Sequence, residues 1–209
     1  MLSGIEVLCH SSIRIHKHLV MYIDPYKIIQ EKHDADIIFC THTHYDHFSP
    51  EDILKIKNDR TIFVGTEDSY INAMKLGFSE NRIIIVDQND QYEILGIKFE
   101  TVPAYNIEKQ YHPKENNWVG YILEIDKKRY YIAGDTDLIP EIKIINCDVA
   151  LVPIGGRFTM NAKEAASLIN TIEPKIGIPT HYGEIVGTHD DAELFKKLVK
   201  EGIEVKLFF

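Results

Sequence analysis

Short apolar runs separated by polar segments recur along the whole chain. They are rich in Ile, Val, Tyr and Phe, the residues that favour strands. The runs predict a first series of strands at Ile5–Cys9, Ser12–Ile15, Leu19–Asp24, Ile37–Thr41, Thr61–Val64, Ile83–Val86 and Ile97–Val102. A second series is predicted at Trp118–Ile125, Arg129–Ala133, Val149–Ile154, Ile176–Pro179 and Val205–Phe208.

Helix starts stand between several of these runs. An N-cap residue followed three positions later by an acid is a typical helix beginning. The pairs are Ser49 with Asp52, Asn161 with Glu164, and Asp190 with Glu193, and Pro50 stands at the first helical position of the first pair. From Asn161 to about Ile172, helical spacing places apolar side chains on one stripe, as expected of a helix that covers a sheet: Ala165, Leu168, Ile169 and Ile172.

The order of elements predicts the architecture. Each half of the chain begins with strands joined by tight connections and then changes to strand–helix alternation. Two packed sheets with helices outside both satisfy that order. The chain has 209 residues, 44% of them hydrophobic, and no Gly/Ser/Pro-rich linker or repeat divides it. We therefore expect an α/β fold and one domain over residues 1–209.

Charge and composition narrow the classes of partner. The formal net charge is -9 and the pI is about 5.5, so a broad basic face for nucleic acid is not expected. The amino terminus lacks the pattern of a signal peptide, and no apolar run approaches the roughly 18 residues of a membrane span. Cys9, Cys40 and Cys147 are predicted to be reduced packing residues without a ligand role. These features favour a cytoplasmic protein that acts on a small molecule, and they leave a homo-oligomer open.

The segment from Thr41 to His47 carries the chemistry. It holds three imidazoles and a carboxylate within seven residues, directly after an apolar run. Side chains repeat with period two in an extended loop, so His42 and His44 point the same way and can grip one ion. Asp46 and His47 follow the turn and are placed to reach a second ion, as two-metal hydrolysis requires. The alternative is a solvated, His-rich loop without metal.

This H-x-H-x-D-H motif after a buried strand resembles the signature of the metallo-β-lactamase superfamily. Further landmarks follow in the superfamily's order: Val20–Pro25 with Asp24, Ile132–Asp137 with Asp135, and Pro179–Gly183 with His181. Cys9-His10-Ser11-Ser12, together with Asp24-Pro25, is similar to the branch that contains the L-ascorbate 6-phosphate lactonases. The resemblance runs from about His10 to His181. It implies a four-layer αββα sandwich with metal ligands on loops at one edge.

The resemblance also implies a role for each ligand. His42 and His44 would bind a first metal, Asp46, His47 and His181 a second, and Asp135 would bridge the two. A hydroxide held between the ions would be the nucleophile, and Asp46 would also carry protons as the catalytic acid–base. Mixed nitrogen and oxygen donors make zinc the default, with manganese, iron or nickel as alternatives, at one or two ions per chain.

The first metal lacks a third superfamily ligand, because the chain has no His-x-x-Gly-His segment in the long loop from Pro103 to Trp118. His112 is the nearest candidate ligand in that loop. The open alternatives are that His112 binds substrate from the pocket rim, and that Asn106 completes the site. Loops this long in a compact domain are usually functional or mobile.

Other residues have supporting predictions. Asp24 would accept hydrogen bonds from the metal loop or from a ligand imidazole, with a simple turn residue as the alternative. His10 is expected near the metals. Arg157 could hold a carboxylate or phosphate, or simply lie at the surface. Asp137 is predicted to be an acid at a helix N-terminus, and four histidines are predicted to lie at the surface: His16, His18, His33 and His189.

Together the motifs favour a metal-dependent hydrolase of a small, anionic ester, lactone or phosphodiester. One alternative is an RNase Z-like or other phosphodiesterase or nuclease, against which the acidic balance argues. Another is a weakly catalytic metal-binding protein, which would lack the complete second site for which residues are present.

Overall fold

A computed structural model describes residues 2–208. The chain divides into two compact units, of which the first ends at Val86 and the second begins at Asp87. Each unit holds one β-sheet with helices packed against it. The expectation of a single domain over residues 1–209 stays a prediction.

The first unit contains a six-stranded sheet in the order β1-β2-β3-β4-β5-β6. Strands β1 to β3 pair antiparallel, and β3 to β6 pair parallel. The strands are β1 Ile5–Cys9, β2 Ser12–His16, β3 Val20–Ile23, β4 Ile37–Phe39, β5 Ile62–Gly65 and β6 Ile83–Ile85. Its helices are α1 Pro50–Ile56 and α2 Tyr70–Lys75, with 3₁₀ turns at Glu67–Ser69 and Glu80–Arg82.

The second unit contains a seven-stranded sheet in the order β13-β12-β11-β10-β9-β8-β7. Strands β7 to β10 pair antiparallel, and β10 to β13 pair parallel. The strands are β7 Gln91–Ile94, β8 Ile97–Pro103, β9 Val119–Ile125, β10 Lys128–Ile132, β11 Val149–Pro153, β12 Ile176–Thr180 and β13 Glu204–Val205. Its helices are α3 Ala162–Ile172 and α4 His189–Leu198, with 3₁₀ turns at Lys114–Asn116 and Pro140–Ile144.

The predicted change from tight connections to strand–helix alternation is present in both units. In each sheet antiparallel strands come first and parallel strands follow. A parallel pair needs a longer crossover connection, whereas an antiparallel pair does not. The fold-class prediction is thus confirmed as a mixed α/β chain with two helix-flanked sheets. Strand β7 was not predicted, since its residues are exposed or half-buried and carry little apolar signal. Strand β13 lies at Glu204–Val205, displaced from the predicted Val205–Phe208.

Two of the three predicted helix starts are confirmed. The Ser49 hydroxyl accepts from the Asp52 N–H at the start of α1, and Asn161 with Glu164 forms a complete capping box at the start of α3. The third prediction is wrong by two residues. Thr188, not Asp190, caps α4, and its box closes on Asp191, because a threonine hydroxyl with an acid three residues later satisfies two backbone N–H groups reciprocally.

Each sheet has its own apolar core against its helices. In the first unit, Ile53 and Ile56 of α1 pack with Ile38 and Phe63 of the sheet. In the second unit, the predicted stripe of α3 is confirmed: three of its members are buried and Ile172 is partly buried. The three cysteines stand as thiols, with Cys40 and Cys147 buried. Across residues 2–208, no helix has the length and apolar character to cross a bilayer.

Candidate metal centre

The histidine loop of the first unit leaves the carboxyl end of β4. It turns at once, because the N–H groups of His47 and Phe48 both donate to the His44 carbonyl, at 2.9 and 2.8 Å. His42, Asp46 and His47 are buried, whereas Tyr45 at the tip is exposed. Burial of charged and imidazole groups costs free energy unless they have partners. A solvated, His-rich loop does not fit that burial.

The first two imidazoles of the loop present ring nitrogens to each other. His42 Nε2 lies 3.1 Å from His44 Nδ1. Two nitrogens bound at about 2.0–2.1 Å to one tetrahedral ion lie about 3.3 Å apart, so this spacing fits a shared metal ion. On the other side of the ring, His42 Nδ1 lies 3.0 Å from the Thr41 hydroxyl. That hydroxyl donates to Asp24 and therefore accepts from Nδ1, which makes Nε2 the ligand atom of His42.

Asp24 organises this loop from the end of β3. Its side chain is almost fully buried. Oδ1 accepts from the Thr41 N–H at 2.8 Å, and Oδ2 accepts from the Thr41 hydroxyl at 2.8 Å and lies 2.7 Å from His47 Nδ1. A carboxylate on Nδ1 fixes the proton there, so Nε2 is the ligand atom of His47 as well. The sequence predicts that Asp24 accepts hydrogen bonds from the metal loop or a ligand imidazole, and these contacts agree with that. The support of a metal site by Asp24 stays a prediction.

His10 and Asp46 meet within the same unit. His10 Nε2 lies 3.4 Å from Asp46 Oδ2, and His47 Nε2 lies 3.6 Å from the same oxygen. His10 has a φ of 55° and Asp24 a φ of 49°. Left-handed backbone at non-glycine residues costs free energy and clusters at functional sites.

Burial, with the Asp24 charge as a smaller cause, raises the pKa of the Cys40 thiol well above its usual range, which agrees with a packing residue.

The second unit supplies a separate group of ligand-type residues. Asp135 follows β10 and His181 follows β12, so both stand at the carboxyl ends of parallel strands. Asp135 Oδ2 lies 3.0 Å from His181 Nε2 and 3.2 Å from His112 Nε2. All three side chains are nearly fully buried. One carboxylate oxygen thus lies against two imidazoles, at spacings that suit ligands of a common ion.

The loop from Pro103 to Trp118 fixes His112 through Asn106. Asn106 Oδ1 accepts from the His112 backbone N–H at 3.1 Å, and Asn106 Nδ2 donates to the Phe158 carbonyl at 2.8 Å. Asn106 is therefore a neighbour of His112. Arg157 is exposed, and its guanidinium lies over the Phe158 ring at 5.1 Å. The structure thus places Arg157 next to the segment that holds Asn106, with its charge at the surface.

The prediction for Asp137 is wrong. Asp137 is buried, and the 3₁₀ turn that follows begins only at Pro140. Its carboxylate accepts from the Ile107 N–H at 3.0 Å and pairs with the Lys109 ammonium, which also donates to the Thr159 carbonyl at 2.8 Å. The acid therefore anchors the long loop. Lys109 could not be predicted from the sequence, because local spacing does not identify a lysine whose carboxylate partner lies 28 positions away.

Both groups fit a divalent transition metal. The first unit offers four imidazoles and one carboxylate, from His10, His42, His44, His47 and Asp46. The second offers two imidazoles and one carboxylate, from His112, His181 and Asp135. Mixed imidazole and carboxylate donors suit zinc, manganese, iron and nickel.

Four histidines predicted to lie at the surface are exposed: His16, His18, His33 and His189.

The fold and the two ligand groups define a class of protein, the metal-dependent hydrolases of the metallo-β-lactamase fold. A family profile described as the Beta-lactamase superfamily domain matches residues 4–181. The chain therefore belongs to the metallo-β-lactamase superfamily, and the resemblance stated above is confirmed. The match includes both ligand groups, from His10 to His181.

Individual relatives agree with that assignment over most of their length. A UPF0173 metal-dependent hydrolase of Thermococcus onnurineus is 30% identical over 215 residues, which are 96% of this chain and 94% of that protein. Another UPF0173 metal-dependent hydrolase, from Methanopyrus kandleri, is 34% identical over 83% of this chain and 78% of its own. A candidate metal-dependent hydrolase of Parabacteroides distasonis has a crystal structure that is similar with a TM-score of 0.81, at 32% identity and over 97% of this chain and 91% of that one.

Proposed function

We propose that this metal-dependent hydrolase acts on a small, anionic ester, lactone or phosphodiester. The observation that supports metal-dependent chemistry is the orientation of three histidines. The Nδ1 atoms of His42, His47 and His112 each lie against an oxygen acceptor of the protein. That arrangement leaves Nε2 as the ligand atom in each case, as in histidines that serve metal ions.

The order of the family motifs suggests the ligand sets. By the family resemblance, His42, His44 and His112 would hold a first ion, Asp46, His47 and His181 would hold a second, and Asp135 would serve both. Bound divalent ions would supply a more acidic water molecule and a Lewis acid for the bond under attack.

The chain's own contribution to the chemistry is proton transfer. Asp46 is buried, and its Oδ2 lies between the Nε2 atoms of His10 and His47 at 3.4 and 3.6 Å. A carboxylate held in this way can accept a proton from the attacking water and return it to the leaving group. His10 positions that carboxylate from the turn between β1 and β2.

A cavity of about 660 Å³ in the second unit is lined in part by Tyr105, Asn106, Lys109 and Lys114. Both ammonium groups are already paired, Lys109 with Asp137 and Lys114 with Glu141, so the anionic character of the substrate rests on the family resemblance. The net charge of -9 disfavours the nuclease alternative. The lactone within this class rests on the similarity of Cys9-His10-Ser11-Ser12 to the L-ascorbate 6-phosphate lactonases. The cytoplasmic compartment and a homo-oligomer remain part of the proposal.

A substrate panel tests this function. Protein loaded in turn with zinc, manganese, iron and nickel is assayed on a sugar lactone, a carboxylic ester, bis(p-nitrophenyl) phosphate and a short single-stranded RNA. We expect turnover of at least one small substrate, loss of it in EDTA and recovery when metal is returned. Cleavage of RNA alone would establish the nuclease alternative instead. A protein that binds metal and turns over none of the four would be the weakly catalytic metal-binding protein.

A further inference from the structure

We propose that Asn106 is a positioning residue that fixes the ring orientation and tautomer of His112, so that His112 Nε2 and not the Asn106 side chain serves the metal ion. The inference rests on the proposed function in one respect, that His112 is a ligand. It decides which residue of the long loop completes the first metal site, His112 or Asn106.

The orientation of the Asn106 amide is determined by its neighbours. The backbone N–H of His112 can only donate, and it lies 3.1 Å from one amide atom, which must be Oδ1. The Phe158 carbonyl can only accept, and it lies 2.8 Å from the other amide atom, which must be Nδ2. The Asn106 N–H donates in turn to the His112 carbonyl at 2.7 Å. Asn106 and His112 are thus clamped together by their backbones as well as by the amide.

This amide orientation determines the tautomer of His112. Its Nδ1 lies 3.1 Å from Asn106 Oδ1 and 3.2 Å from the Phe158 carbonyl oxygen. Both neighbours are acceptors, so Nδ1 carries the proton. A neutral imidazole has a single N–H, which leaves Nε2 with its lone pair. Nε2 lies 3.2 Å from Asp135 Oδ2, the carboxylate proposed to bridge the metals.

The same contacts make Asn106 a poor ligand. Oδ1 accepts from both the N–H and the Nδ1–H of His112, which occupies its two lone pairs. Nδ2 donates to Phe158 and has no lone pair to offer. In the first unit Asp24 holds Nδ1 of His47 in the same way, with a carboxylate in place of the amide. Loss of such a partner typically costs 10- to 100-fold in metal affinity, as an order of magnitude.

The first experiment observes the tautomer directly. Protein labelled with ¹⁵N in its histidines is recorded by two-bond ¹H–¹⁵N correlation NMR, in zinc-loaded and metal-free form at a pH where the imidazole is neutral. His112 is assigned from the His112→Gln variant. We expect Nδ1 to carry the proton in both forms, and zinc to shift Nε2. A metal-free wild type in which Nε2 and not Nδ1 carries the proton would overturn the proposal, and this result does not depend on any activity.

Variants then separate positioning from general loop structure. Asn106→Ala removes the acceptor and should lower zinc affinity at one site by about 10- to 100-fold, with a mixture of His112 tautomers. Asn106→Asp keeps the acceptor oxygen for His112 Nδ1 and should restore the tautomer. Its second oxygen faces the Phe158 carbonyl in place of the Nδ2 donor, so its zinc affinity should lie between those of Asn106→Ala and the wild type. Asn116 is an exposed asparagine of the same loop, so Asn116→Ala is the matched control. It should change neither the His112 tautomer nor the zinc affinity. Unchanged tautomer and affinity in Asn106→Ala would contradict the proposal.

Discussion

Replacement of Asp46 by asparagine is expected to leave the fold intact and to lower turnover of the substrate by about 10²–10⁴-fold, the usual contribution of general acid–base catalysis. The amide keeps the shape of the carboxylate but cannot take a proton. Asp46 Oδ2 lies 3.4 Å from His10 Nε2 and 3.6 Å from His47 Nε2. An amide of the same size can occupy that position, so the substitution should remove proton transfer without moving the backbone. The measurement is kcat/KM on whichever substrate the panel identifies.

Two checks accompany the Asp46→Asn variant. Circular dichroism and metal content show whether the variant is folded and loaded, which matters because Asp46 is also a proposed ligand. Asp59→Asn changes an exposed carboxylate of the same unit and should retain wild-type turnover. If fully loaded Asp46→Asn protein kept turnover within a few-fold of wild type, Asp46 would not be the proton carrier.

Replacement of His112 by alanine is expected to lower occupancy of the first metal more than that of the second. In the proposed ligand set, the two imidazoles of His42 and His44 alone would leave a tetrahedral ion short of protein ligands, and we infer that His112 presents its Nε2 in the metal-binding tautomer. Elemental analysis should give up to one ion fewer per chain, and zinc titration should show the loss of one binding event. Both a ligand role and a substrate role predict lost activity, so metal content decides between them.

The exposed His189→Ala variant is the control for the loss of an imidazole and should bind metal as the wild type does. A His112→Ala protein with full metal content and affinity but a raised KM would identify His112 as a substrate residue. The first site would then need another ligand. Since Asn106 has its amide atoms engaged, that ligand would have to come from elsewhere.

The elements with strong local signals could be predicted from the sequence. Short β-branched runs marked the strands of both sheets, and the apolar stripe of α3 marked its buried face, because burial on one face imposes a period that can be counted. The prediction failed where that signal was weak. Strand β7 is an edge strand with polar residues, and the start of α4 was misplaced because two overlapping polar pairs compete for the cap.

The candidate site was predictable in its local parts. The spacing of His42 and His44 placed their ring nitrogens together, since both lie in one short loop. Contacts between distant segments could not be predicted in this way. The Nδ1 atom of His112 meets Phe158 across 46 positions, and Lys109 meets Thr159 across 50. No periodicity links such residues, and only the fold brings them together.

Elemental analysis of protein purified without chelator shows whether this chain binds transition metal through its buried imidazoles and carboxylates. We expect between one and two ions per chain, either as purified or after incubation with zinc or manganese and removal of the excess. A protein that contains no transition metal and gains none from either ion would contradict this expectation.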